Sequence, residues 1–300
     1  MIEATVDRTA GYPLNANSWR KRRSVVFLRT LFRPLQGKLG AIIILLMLAI
    51  ALAAPLLAPY SPFQPAYPER LHKPSASHLM GTDETGRDVF SRVLYGSRIS
   101  LRVGIIAVTI ALAIGVTTGL IAGYYRGIVD TLIMRVVDVL LAFPGFLLAL
   151  AIIAMLGPSL RNAMFAVGIG SSTGFARLVR GSVLSIRETD YVMAARVVGA
   201  PSRLIMRRHI LPNALSPVIV LATLELPAAI LVAASLSFLG LGAQPPSPEW
   251  GAMLVDGHNY IQTAWWLITF PGIAIFITVL GFNLFGNALQ DALNPRLRQR

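Results

Sequence analysis

Six stretches of the chain are apolar enough, or nearly so, to cross a lipid bilayer, and that repetition excludes most other folds. A span needs roughly 20 apolar residues, because about 30 Å of hydrocarbon is crossed at about 1.5 Å per helical residue. Residues 39–58, 101–124, 133–156, 163–179, 214–241 and 267–289 are the candidates. The fourth is short and carries the polar run Ser171, Ser172, Thr173. The third holds Arg135 and Asp138 near its start, three apart on one helical face and expected to pair with each other. The expected fold is all-α, a polytopic membrane protein with a transmembrane domain over 39–289. Composition agrees: 55% of the 300 residues are hydrophobic and only 14% charged, far from a soluble domain.

Orientation follows from the basic residues between the runs. Residues 1–38 carry eight Lys and Arg, including "WRKRR" at 19–23, and the stretch 177–213 carries seven against two acids. Residues 59–100 carry five basic and four acidic residues, and 242–266 no Lys or Arg and the two acids Glu249 and Asp256. By the positive-inside rule the amino-terminal segment, the loop at 180–213 and the tail at 290–300, with Arg296, Arg298 and Arg300, are expected on the cytoplasmic side. The net charge of +13 is thus explained by topology, and no nucleic-acid partner is expected. The motif "ALAAP" at 51–55 resembles a signal-peptide cleavage site, but the apolar run is too long and its basic lead too extended, so an uncleaved first span is expected.

The loop contains "DYVMAARVVGAPSRLIMRRHILPN" at 190–213. Asp190 is expected to cap a short helix in which Tyr191, Ala194, Ala195 and Val198 make one apolar stripe. Gly199 ends it, and Pro201 opens a second short helix that has to stop before Pro212. Small Ala194 and Ala195 permit close approach by another surface, while Arg196, Arg203, Arg207 and Arg208 stay solvated or meet acids. The alternative is an amphipathic loop lying on anionic lipid. Glu225 sits near the middle of the fifth span, where a carboxylate costs on the order of 3 kcal/mol, so it is expected to face a bundle interior or a wet path. It either lines a wet path between helices or serves as packing glue, and Pro227 two residues later frees a backbone carbonyl. The outer motif "GTDETGRD" at 81–88 offers Asp83 for a turn ahead of a periodic run from Val89. In "QPPSPEWG" and "AWW" the aromatic residues suit a membrane interface.

Catalytic and metal-binding patterns are missing. There is no G-x-x-x-x-G-K-[ST], no cysteine, and His72, His78, His209 and His258 lack metal-ligand spacing. No cofactor is expected on this chain, and the chain is not expected to be an enzyme.

"YVMAARVVGAPSRLIMRRHILPN" resembles the EAA loop of ABC importer permeases. "HLMGTDETGRDVFSRVLYGSRISL" at 78–101, "MRVVDVLLAFP" at 134–144, "LSFLGLGAQPPSPEWGAML" at 236–254 and "FPGIAIFITVLGFNLFGNALQDALNPRLR" at 270–298 are similar to the C-type permease subunit of dipeptide, oligopeptide and nickel importers. The likeness runs from about residue 35 to the end. It departs at Met193, where the family's loop usually has its glutamate, at "SSTGF", at Ala233, and at Asn287 and Asn294. The resemblance implies a type I importer fold and a heterodimer with a homologous permease. It also implies two ATPase subunits that use the ATP, an extracytoplasmic substrate-binding protein, and a bacterial or archaeal cytoplasmic membrane. It further implies alternating access, with Tyr191, Val192, Met193, Ala194, Ala195, Val198, Gly199 and Ala200 as the ATPase-coupling surface and the short helix as its lever. A proton-coupled secondary transporter using Glu225 and a membrane anchor recruiting a soluble partner are the readings from other classes.

Overall fold

The computed structural model describes residues 27–293, and "WRKRR", Asn294 and the arginines of the tail lie outside them. Among the described residues the ordered elements are helical apart from one isolated bridge between Thr82 and Asp88. Helix α1 is Leu35–Leu57, α2 is Val89–Tyr125, α3 is Gly127–Leu141, α4 is Gly145–Leu156 and α5 is Leu160–Ile186. The short α6 is Asp190–Val197, and α7 runs unbroken over Ser202–Phe238. A short helix α8 covers Trp250–His258, and α9 covers Trp266–Leu293.

Helices α1, α2, α7 and α9 are long and apolar enough to span a membrane, and the pair α3 and α4 makes a fifth candidate if read as one bent span. The candidate span over 133–156 is therefore not one helix but parts of two that meet at 94°. Pro144 is the cause: it has no N–H to donate and disfavours helical backbone at Phe143, so the chain turns there and Pro144 starts α4 instead.

Helix α5 covers the weakest of the expected spans, and its composition follows from its place. It lies against α2 along a ladder of Gly115, Gly119 and Gly123, spaced four apart so that they share one helix face. A Cβ on Gly119 would stand 2.4 Å from the Ala176 carbonyl oxygen, and one on Gly115 2.4 Å from Phe175 Cβ. Such approach needs small residues at the contact, and small residues lower the apparent hydrophobicity of the segment. The hydroxyls of Ser172 and Thr173 donate to the carbonyls three residues earlier, which allows them to be buried. Phe175, Val179 and Val183 complete a core shared with Val103, Ala107 and Ala111 of α2.

Candidate functional site

The short helix α6 projects from the end of the bundle where α2 and α5 finish. Thr189, not Asp190, is its N-cap residue; Asp190 takes the first helical position, where its carboxylate suits the helix dipole. The end is a Schellman motif: the Ala200 N–H donates to the Ala195 carbonyl and the Gly199 N–H to the Arg196 carbonyl. Gly199 has φ of +82°, the left-handed region that a Cβ disfavours.

Of the expected stripe, Tyr191, Ala194 and Val198 are exposed and Ala195 is half-buried. Val192 is the fully buried residue of α6, set in the same core as Val179 and Val183, with Ala195 and Ala200 packed beside it. Tyr191, Met193, Val197 and Val198 instead face outward, the two valines 88% and 86% exposed. Ala194 and Gly199 are exposed as well. One face of α6 thus locks the helix to the bundle, and the apolar residues of its tip are left uncovered.

The second helix does not stop before Pro212 but continues into α7. The continuation passes through a π turn at Ile205–Ile210, and Pro212 falls in the first turn after it. Inside a continuous helix Pro212 lacks the N–H for the carbonyl one turn back and its ring crowds that turn, and the wider π turn just before it supplies the room. The Asn213 side-chain amide donates to the His209 carbonyl (2.7 Å) and to the Tyr191 hydroxyl (3.2 Å), joining the turn to α6.

Ion pairs hold the surrounding helices. The Arg180 guanidinium donates to both oxygens of Asp130, at 2.6 and 2.7 Å, a forked geometry available only to arginine. Arg126 pairs with Glu188 at 2.6 Å. Arg187 donates to the Tyr124 carbonyl, and the Arg187 and Arg196 guanidinium groups lie over the Tyr124 ring. Asp138 pairs with Arg177 at 2.7 Å, which corrects the expected pairing with Arg135.

Glu225 lies far along α7 from this end and is half-buried, between Val218 and Ala229 of the core in helical register. At the opposite end a charged cluster is buried that composition alone does not reveal. Arg92 is 1% exposed, lies 3.5 Å from Asp83 and 3.6 Å from Asp256, and donates to the carbonyls of Pro62 and Pro246. It therefore ties both outer segments to the start of α2. Asp83 also accepts from the backbone N–H of Thr85 and Arg87, and Asp88 caps α2 by accepting from the Ser91 N–H at 2.7 Å. His78 lies between Asp88 and Glu69, at 2.9 and 3.3 Å.

The aromatic residues divide. Trp250 and Trp266 are buried and donate to the carbonyls of Val93 and Thr82, so they are internal struts and not interface anchors; Trp265 alone of the three is exposed. Glu249 caps α8 by accepting from the Ala252 N–H and also accepts from the Ser100 hydroxyl. Burial pushes its carboxyl above the usual glutamate range, against the pull of those hydrogen bonds. Burial likewise raises Asp256, opposed chiefly by the positive charge of Arg92. No cluster of metal-ligating side chains occurs among the described residues.

The family profile described as "Binding-protein-dependent transport system inner membrane component" matches residues 115–299. That described as "N-terminal TM domain of oligopeptide transport permease C" matches residues 27–74. The chain is 52% identical over 259 residues to the dipeptide transport system permease protein DppC of Alkalihalophilus pseudofirmus, covering 86% of this chain and 85% of that protein. It is 46% identical over 281 residues to the glutathione transport system permease protein GsiD of Pectobacterium atrosepticum, covering 93% and 92%. Among solved structures, the inward-facing MetNI methionine ABC transporter shares the fold, with a TM-score of 0.55 at 20% identity over 68% of this chain and 97% of that one. The chain belongs to the binding-protein-dependent transport system inner membrane components, the membrane permeases of ABC importers.

Proposed function

We propose that this chain is one of two homologous permease subunits that move peptides inward across the bacterial cytoplasmic membrane. The cargo is a dipeptide or longer peptide, with a nickel chelate or another small solute as the wider class. Two ATPase subunits lie on the cytoplasmic side and a substrate-binding protein on the other. The names of the relatives support the peptide class. In this reading six spans cross the bilayer with both termini inside, the loop at 180–213 faces the ATPases, and transport proceeds by alternating access. Glu225 faces the path that the two permeases enclose.

The observation that carries the proposal is α6. A helix of eight residues that anchors itself through Val192 while leaving Tyr191, Met193, Val197 and Val198 uncovered has the form of a plug for another protein's groove. Its rigid end at Gly199 and its join to α7 through Tyr191 and Asn213 give a route from that groove to a span. Met193, at the position of the family's usual glutamate, offers apolar contact where a carboxylate would offer charge.

The proposal is tested by uptake of radiolabelled dipeptide in cells whose own peptide permeases are deleted and which carry the full set of subunits. Val198→Asp is expected to reduce uptake at least tenfold at unchanged membrane abundance, since it places an unpaired charge in an apolar contact. Unchanged uptake would remove α6 as the coupling element.

A further inference from the structure

The arginines at the end of the bundle fall into two sets. Arg126, Arg177, Arg180 and Arg187 have carboxylate or carbonyl partners within the chain. Arg203, Arg207 and Arg208 are exposed and take part in no ion pair or hydrogen bond among the described residues, and the last two stand in the π turn, four and three residues before Leu211. The turn is fixed by Ile205 and Ile210, both fully buried. At α-helical pitch five residues would set those two side chains about 140° apart. The wider π turn brings them closer to one side and leaves the residues between them outside.

Leu211, the first residue after the π turn, opens an apolar groove of about 760 Å³ between α1, α2, α7 and α9. Leu215 and Ile219 continue its wall on α7, Ile105 and Val116 line it on α2, and Phe282 on α9. From Leu211 to Leu226, its last residue on α7, the helix rises about 22 Å, well over half of a hydrocarbon core of about 30 Å. The threonines on its walls direct their hydroxyl protons to carbonyls of their own helices: Thr109 to Ile105, Thr117 to Ala113, Thr223 to Ile219. The groove therefore suits a hydrocarbon chain better than a polar solute, and Arg207 and Arg208 stand about one helical turn before its lining residue Leu211.

We propose that the groove and the π turn together bind one anionic glycerophospholipid, an acyl chain lying along the groove and the phosphate-bearing head group at Arg207 and Arg208. A neutral lipid would fill the groove and leave the arginines uncompensated. A small anion would meet the arginines and leave the groove empty. An anionic lipid satisfies both, with its charge at the interface and its chain in the hydrocarbon.

The test is photo-crosslinking in native membranes from a benzophenone side chain placed at Ile219 in the full-length chain, co-expressed with its partner subunits, followed by intact-mass analysis of the purified subunit. Phospholipid adducts are expected, enriched in phosphatidylglycerol or cardiolipin over the bulk membrane by roughly fivefold per arginine. Arg207→Gln with Arg208→Gln is expected to return the adducts to the bulk head-group ratio. Should the double variant fail to insert, the head-group ratio on the parent chain decides. Adducts with the bulk ratio would mean unselective boundary lipid, and adducts on a second polypeptide would mean that the groove is a subunit interface; either overturns the proposal.

Discussion

At the scale of single residues, Gly199 and Glu249 illustrate two different uses of local chemistry. No atom lies within 4 Å of a Cβ placed on Gly199, so a side chain there meets backbone strain and nothing else. Gly199→Val is expected to cost about 1–2 kcal/mol in the end of α6. Hydrogen exchange should then accelerate roughly 5- to 30-fold over 190–200 with the rest of the bundle unchanged; equal protection would mean that the Schellman turn does not hold the helix. Glu249 predicts a pH dependence of unusual sign. Because burial raises its carboxyl above the ordinary value, its contribution favours the folded chain at low pH and is lost as pH rises through the raised value. The thermal midpoint of the detergent-solubilised chain should therefore fall, as pH rises above the ordinary glutamate range, more in the parent than in Glu249→Gln, which keeps an acceptor for the Ala252 N–H. Parallel curves would contradict this. The sequence places Glu249 in an outer loop, but its burial follows from contacts with Ser100 of α2 and Ser237 near the end of α7, which no local pattern encodes. The same holds for Arg92, whose partners Asp83 and Asp256 are distant from each other in sequence.

At the scale of elements, much of the architecture was legible wherever apolar length alone decides it. The expected first and last spans agree with α1 and α9 within four residues at either end. The turn at Asp83 and the helix from Val89 also follow from local residue types. Prolines were less legible, because one residue type has two outcomes. Pro144 breaks the third apolar run, whereas Pro212 is carried through because the wider π turn just before it supplies the room. Burial of Ile205 and Ile210 selects that turn, and such burial is a tertiary fact. The glycine ladder was legible in principle: Gly115, Gly119 and Gly123 stand four apart in an apolar segment, a known signal for close helix packing. Gly119→Ala should lower stability by about 1–3 kcal/mol, since its methyl meets the Ala176 backbone. Gly174→Ala on α5, which meets nothing within 4 Å, should be neutral or stabilising. Equal thermal midpoints for the two variants would show that α2 and α5 are not held at the distance described.

At the scale of the whole molecule, the two ends of the bundle are built differently. The end around Arg92 is closed by buried charge and tryptophan, with Arg92, Trp250 and Trp266 tying loop segments to helices. The other end keeps its ion pairs near the surface and presents an apolar tip on a short helix. One end tied together by buried charge and a tip left uncovered at the other suit a subunit whose motion is driven from one side, the central claim of the proposed function. The direct test is to purify the tagged full-length chain with its co-expressed subunits in mild detergent. Bound ATPase and substrate-stimulated ATP hydrolysis are then measured for the parent and for Val197→Asp with Val198→Asp. The two valines are more than 80% exposed, so the variant should insert and pair with the second permease as the parent does. The account predicts that the ATPase subunits, and with them substrate-stimulated hydrolysis, are lost from the double variant while the second permease is retained. Retention of the ATPase subunits with full stimulation in the double variant would contradict it.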